Sequence, residues 1–132
     1  MARNAKGSHR ILAVQQQLRK IEEAKMADLQ RRLQAVKEEQ VALVKAMNDD
    51  GALQNLFLDA MAMRLKTLAE HERLAEAAVT RQAYAVRDEA TKEKAAERLY
   101  TRRAHEEQLQ SAQKQLDEVL ELMVQPRDAS LR

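Results

Sequence analysis

Three histidines are the residues of this chain best suited to catalysis or metal binding. His9, His71 and His105 lie far apart, and the sequence contains no cysteine. A helical zinc motif needs two histidines one turn apart, and neither His71-Glu72 nor His105-Glu106 begins a segment with that second histidine. The pattern therefore predicts no metal site and no cofactor, with the histidines on a solvated surface.

Other chemistry-bearing residues also lack the pattern that their chemistry requires. Carboxylates are abundant, but acid–base catalysis needs a concave pocket that separates their pKa values, which a pair of long helices does not provide. The two glycines belong to no phosphate-binding loop. The basic pair Arg31-Arg32 and the cluster at 98–103 lack the aromatic platforms of a nucleic-acid interface. The sequence therefore predicts a protein that is not an enzyme, and nucleic-acid binding is not expected.

The composition is typical of long helices. The 132 residues include one Phe, two Tyr, no Trp, one Pro and two Gly, and 33% of them are charged. This is too little large apolar surface for a globular core, but enough for a stripe along a helix. No apolar run is long enough for a membrane span or a signal peptide. We expect a cytoplasmic protein without membrane insertion.

Helix-breaking residues divide the chain at three places. They are Gly7 with Ser8, the run 48–51 and Pro126. Ser8 is suited to cap the first helix, and Pro126 is suited to end the second. The predicted elements are a first helix at about 9–47, a turn at 48–51, a second helix at about 52–124 and a tail at 125–132. Together they form one elongated coiled-coil domain over 1–132.

Apolar spacing predicts that the two helices form an antiparallel coiled-coil hairpin. Ile11, Val14, Leu18 and Ile21 follow the 3-4-3 spacing of a heptad seam, and a stutter follows at 25–33. Facing residues should have numbers that add to about 100. The hairpin then uses the second helix only to about residue 90, and the rest of this longer helix, to 124, has no partner within the chain.

The two helical segments of this hairpin carry opposite net charges. Residues 1–47 hold ten Lys or Arg against five Asp or Glu, whereas residues 48–132 hold thirteen against sixteen. Opposite charges of this kind favour pairing of the arms over binding to DNA.

Two stretches carry more apolar residues than a single seam can bury. One begins the second helix and is rich in Met and Phe, which suits an adaptable binding surface. The other lies in the unpaired part of that helix. The candidate partner-binding residues are Leu56, Phe57, Met61, Met63, Leu68, Leu109, Leu116, Leu120 and Met123.

Three segments resemble the FliJ-like family of flagellar type III export proteins. They are Arg10-Ile11-Leu12 before Gln- and Glu-rich heptads, the stretch 94–103 ending in Leu-Tyr-Thr-Arg-Arg, and Leu116-Asp117-Glu118. The resemblance implies an antiparallel two-helix stalk that inserts into the hexameric export ATPase. It also implies contacts with the export-gate membrane protein and with export chaperones, at the cytoplasmic side of the inner-membrane export apparatus.

The resemblance also indicates where the gate would bind. In that family a Phe, Leu, Ala and His on one face of the second helix contact the gate. Phe57 and His71 are present here, but their spacing differs from that of the family. The resemblance therefore implies a gate-binding region early in the second helix, without assigning a role to each residue. His71 joins the candidate partner-binding residues on this ground.

Other functions remain open at the level of sequence. The chain could be a self-associating structural scaffold, or the equivalent stalk of an injection-type type III secretion system. A nucleic-acid-binding rod that uses the basic first helix is a third possibility, and its binding would be strongly salt-sensitive. The export stalk predicts a monomer, and the scaffold predicts a coiled-coil dimer.

Overall fold

The protein is an all-α helical hairpin whose second helix is the longer one. The computed structural model describes the backbone of residues 5–49 and 54–130, and the side chains of residues 5–49 and 57–124. Helix α1 is Ala5–Met47 and helix α2 is Gln54–Ser130. Within these ranges there is no strand. The fold class predicted from composition and breaker residues is therefore confirmed.

The chain forms two compact units. The central unit is Leu18–Ala90, and the terminal unit combines Met1–Gln17 with Thr91–Arg132. In the central unit, Arg64 Nη2 lies 2.7 Å from Glu39 Oε1, and Gln82 Nε2 donates to the Glu22 carbonyl oxygen at 2.9 Å. Rising numbers along α1 meet falling numbers along α2, so the helices are antiparallel. The paired numbers add to about 104, roughly one helical turn from the predicted register.

The turn after α1 begins where the sequence predicts it. The Asn48 amide donates to the carbonyl oxygens of Val44 and Lys45, at 3.1 and 3.2 Å, and the Asp49 amide donates to Ala46 at 3.3 Å. These bonds satisfy carbonyl groups that the last turn of a helix leaves open. The other half of the predicted turn, residues 50–51, lies outside the described residues.

Helix α1 begins earlier than predicted. It starts at Ala5, and Ser8 is a buried residue inside the helix rather than its N-cap. A glutamate of the second helix provides a cap instead, because the Ala5 amide donates to Glu107 Oε1 at 3.2 Å. This bond satisfies one of the four amides that a helix N-terminus leaves open. Ser8 and Ala96 are the buried residues of the terminal unit as far as it is described, and both are small, which allows a close approach of the helices.

The packed face of α1 is a regular heptad seam. Its members recur at alternating steps of three and four residues, and all of them are buried or half-buried: Ala5, Ser8, Leu12, Gln15, Arg19, Glu22, Met26, Leu29, Leu33, Val36, Gln40, Leu43 and Met47. The predicted seam through Ile11, Val14, Leu18 and Ile21 is wrong by one position, and the exposed fractions of Ile11 and Val14 are 55% and 60%. The predicted stutter is absent from this seam. The same spacing of three and four residues connects Leu29 with Met47. Continued toward the start of the helix, this spacing falls on polar residues, so the first half of the seam is partly polar.

Helix α2 has a matching seam that ends near Glu107. Its members are Met61, Leu65, Leu68, Glu72, Ala75, Val79, Gln82, Val86, Glu89, Glu93, Ala96, Tyr100 and Glu107. In the terminal unit the His9 and Tyr100 rings meet edge to face, with centroids 5.3 Å apart. The expectation that pairing stops at about residue 90 is therefore wrong. Helix α1 starts four residues earlier than predicted, and the facing numbers in the terminal unit add to 109 for His9 with Tyr100 and to 112 for Ala5 with Glu107.

Pro126 does not end α2. The helix continues to Ser130, so the predicted tail at 125–132 is helical as far as the described backbone extends. Proline removes one helical hydrogen bond and crowds the carbonyl of residue 122. Leu122 is exposed, so water can satisfy that carbonyl.

Candidate protein-binding surfaces

The longest uninterrupted run of exposed side chains among the described residues lies at the end of α2, in residues 108–124, which we call the extension. Every side chain from 108 to 124 is exposed. The large apolar side chains of this segment are Leu109, Leu116, Val119, Leu120, Leu122, Met123 and Val124. Leu109, Leu116, Leu120 and Met123 were predicted as partner-binding residues, and described parts of the chain cover none of the four. An uncovered apolar face of this kind on an amphipathic helix makes the extension a candidate protein-interaction surface.

The extension is uncovered because α1 begins beside its first residue. Ala5, the first described residue of α1, reaches Glu107, which directly precedes the extension. The described part of α1 therefore offers nothing against which residues 108–124 can pack. The polar face of the extension is acidic, with Asp117, Glu118 and Glu121 against Lys114.

A second uncovered strip lies on α1 in the same terminal unit. Ile11 and Val14 are three residues apart and are exposed beside the seam that holds Ser8 and Leu12. The sequence between Ala5 and Gln17 carries Lys6 and Arg10 and no carboxylate. This strip, which we call the α1 strip, is apolar with a basic flank.

No family model, no curated protein and no solved structure matches this chain. The resemblance to the flagellar export family therefore gains no support from these comparisons. The surfaces have to be interpreted from their own geometry and charge.

The candidate residues early in α2 divide into surface and core. Phe57, Met63 and His71 are exposed, and Met61 is half-buried. Leu68 is 1% exposed, which makes it the most buried side chain of the described residues. Its proposed contact with a partner is therefore wrong, because it packs in the seam. The side chain of Leu56 lies outside the described residues.

The described residues form no cluster suited to hold a metal ion. Groups of three or more His, Cys, Asp or Glu side chains suited to hold a metal are absent from this part of the chain. Two shallow hollows, of about 380 and 210 Å³, are each lined by one face of one helix. A small-molecule site normally encloses most of its ligand, which a single helix face cannot do. Tyr100 is half-buried against His9, so it offers no stacking platform to a base.

Two carboxylates have perturbed acidity through contacts that organise the central unit. The Gln82 side chain donates to Glu22 Oε2 and, with a smaller contribution from Lys25, holds the pKa of Glu22 below its ordinary value against partial desolvation. Arg73 lowers the pKa of Glu70, and Glu70 in turn raises the pKa of Arg73. Both arrangements favour the charged forms, and neither carboxylate lies in an enclosed site. These shifts therefore indicate structural contacts rather than a poised acid or base.

Sequence reasoning missed several surface residues. Ile11 and Val14 were assigned to the seam, and Leu122 and Val124 were not among the candidates. The signal for the first pair was present, because the heptad phase from Leu29 to Met47, continued backward, passes through Leu12 and excludes Ile11.

In the described helices no segment has the length and hydropathy of a membrane span.

Proposed function

We propose that this protein is a non-enzymatic, protein-binding helical hairpin that serves as the stalk of the flagellar type III export ATPase. The helical-hairpin fold and the family resemblance of the sequence together support this proposal. The observation that carries it is the extension, which presents a continuous apolar face on the longer helix and leaves it for another protein to cover. Helix faces of this kind suit contact with a protein rather than enclosure of a small molecule.

The mechanism of such a stalk follows from the asymmetry of two unequal helices. A ring of identical ATPase subunits surrounds one hairpin, so each subunit meets a different surface of the stalk. Differential contacts shift the conformational equilibrium of each subunit unequally. The acidic extension and the basic start of α1 would set the direction in which the chain enters the ring, because electrostatic complementarity orients an encounter.

The exposed residues early in α2 are the proposed contact with the export gate. Phe57 and Met63 present large apolar side chains there, and His71 is exposed further along the helix. The residues of the extension are the proposed contacts with the ATPase and the export chaperones. Binding at separate surfaces allows one chain to connect these components at the cytoplasmic side of the inner membrane.

The activity of the purified hexameric export ATPase, measured with and without the full-length chain, tests this function. We expect the chain to stimulate ATP hydrolysis. The variant Leu116→Glu/Leu120→Glu should lose the stimulation, because two charges would replace the centre of the apolar face. Leu74→Glu is the matched control, since Leu74 is 52% exposed and Leu116 is 53% exposed.

Two results of this ATPase assay would contradict the proposal or its assigned contact. An unchanged rate with wild-type chain, together with no co-sedimentation with the ring, would count against the stalk. Equal stimulation by wild type and the extension variant would place the contact elsewhere. Running the assay with the ATPase of an injection-type system distinguishes the two kinds of export apparatus.

A further inference from the structure

We propose that the terminal unit holds two copies of this chain together, with the extension of each copy packed on the α1 strip of the other. The inference does not rest on the flagellar assignment: it describes the free chain, and entry of a single hairpin into the ATPase ring would require this dimer to dissociate. It rests on two uncovered apolar strips of the same unit, with opposite charge and the same helical spacing.

The first argument is that one copy cannot cover both of its apolar strips. Glu107 already contacts Ala5, so the extension continues past the described start of its own α1. Ile11 and Val14 belong to α1 residues beside the paired part of α2, on a face that the seam leaves exposed. A second copy supplies each strip with the partner that the first copy lacks.

The second argument is charge. The extension carries three carboxylates against one lysine, whereas residues 5–17 carry Lys6 and Arg10 and no carboxylate. Two extensions packed on each other would bring together two segments that each carry a net negative charge, which is unfavourable. An extension packed on the α1 strip brings a segment of net negative charge against one of net positive charge. The charges therefore favour the α1 strip over a second extension as the occupant.

The third argument is spacing. Ile11 and Val14 are separated by three residues, as are Leu116 and Val119, and Leu116, Leu120 and Met123 continue at steps of four and three. Helices with apolar residues at these intervals interlock side chains along a shared seam. A two-fold axis makes the contact reciprocal, so each dimer contains two copies of it. Two contacts per dimer offset the small apolar area of each.

Sedimentation velocity of the full-length chain over a concentration series tests the proposal. We expect a reversible monomer–dimer equilibrium whose dissociation constant rises with added salt. Leu116→Glu in the extension and Ile11→Glu on the α1 strip should each weaken the dimer by about ten-fold or more. Leu74→Glu should leave it unchanged. Circular dichroism of each variant checks that its helix content is retained, which we expect because all three side chains are exposed.

Charge reversal identifies which surfaces meet. Arg10→Glu alone and Asp117→Lys alone should each weaken self-association, by about five-fold, because Asp117 lies at the edge of the apolar face beside Leu120. An equimolar mixture of the two variants should recover the dimer, because the introduced glutamate of one copy then meets the introduced lysine of the other, while the reciprocal contact keeps its native charges. Recovery requires the extension of one copy to lie against the α1 strip of its partner.

Three results would overturn the proposal. They are a chain that stays monomeric at all concentrations, wild-type self-association of Arg10→Glu, and a mixture that dimerises no better than its components. The second result would assign the dimer to contacts between extensions. None of these results involves the ATPase, so failure here is distinguishable from failure of the proposed function.

Discussion

Glu22 shows how individual polar residues hold a seam that is only partly apolar. It lies at a seam position of α1 and receives the side-chain amide of Gln82, which also donates to the backbone of the same residue. One glutamine thus satisfies two acceptors on the opposite helix. Gln40, also in the seam, has no hydrogen-bond partner for its Nε2 among the described residues. Polar seam positions commonly fix register at a cost in stability.

The lowered pKa of Glu22 makes this contact sensitive to acid. The folded chain favours the carboxylate, so the stabilisation is present above the pKa of an unfolded glutamate, about 4.3, and is lost as the pH falls below it. Thermal melting of wild type and Glu22→Gln between about pH 7 and pH 3 isolates this residue. We expect wild type to melt at the higher temperature at neutral pH, with a difference that shrinks on acidification. Parallel pH profiles for the two proteins would exclude a role for the Glu22 carboxylate.

At the scale of the helix, α1 contains two adjacent apolar phases and only one is used for the hairpin. The phase through Ile11, Val14, Leu18 and Ile21 has the larger side chains at the start of the helix, but continuing it leads to Lys25, Asp28 and Arg32. The phase through Leu12 accepts polar residues early and is apolar from Met26 onward, apart from Gln40. Local side-chain size therefore favoured the wrong phase, whereas the continuity of a heptad over the whole helix selects the right one.

Alanine substitution in α2 distinguishes seam from surface. Leu68→Ala should lower the free energy of unfolding by about 2–4 kcal/mol, because it removes a fully buried side chain. Leu74→Ala, an identical substitution in the same helix at a half-exposed position, should cost less than about 1 kcal/mol. Urea unfolding followed by circular dichroism measures both. Equal losses would mean that the helices pack along a different face.

At the scale of the whole molecule, the sequence was sufficient for the fold class, and it indicated four of the apolar side chains that are exposed in 108–124. Scarcity of Gly and Pro, together with charged and Ala-rich composition, restricts the chain to long helices, and the Asn48–Asp49 turn separates them. The start of α1 was not predictable, because its cap comes from Glu107 on the other helix rather than from a neighbour in sequence. The continuation of α2 through Pro126 to Ser130 was likewise not predicted, because proline usually ends or kinks a helix.

The central claim is that residues 108–124 are left uncovered by the hairpin and are the surface on which another protein binds. Amide hydrogen exchange of the full-length chain tests it most directly, at a concentration where sedimentation shows a monomer, alone and with the purified export ATPase. We predict slow exchange in the α1 and α2 seams, fast exchange in 108–124 of the free chain, and protection of 108–124 on binding. Slow exchange of 108–124 in the free monomer, or protection on binding that spares this segment, would contradict the claim.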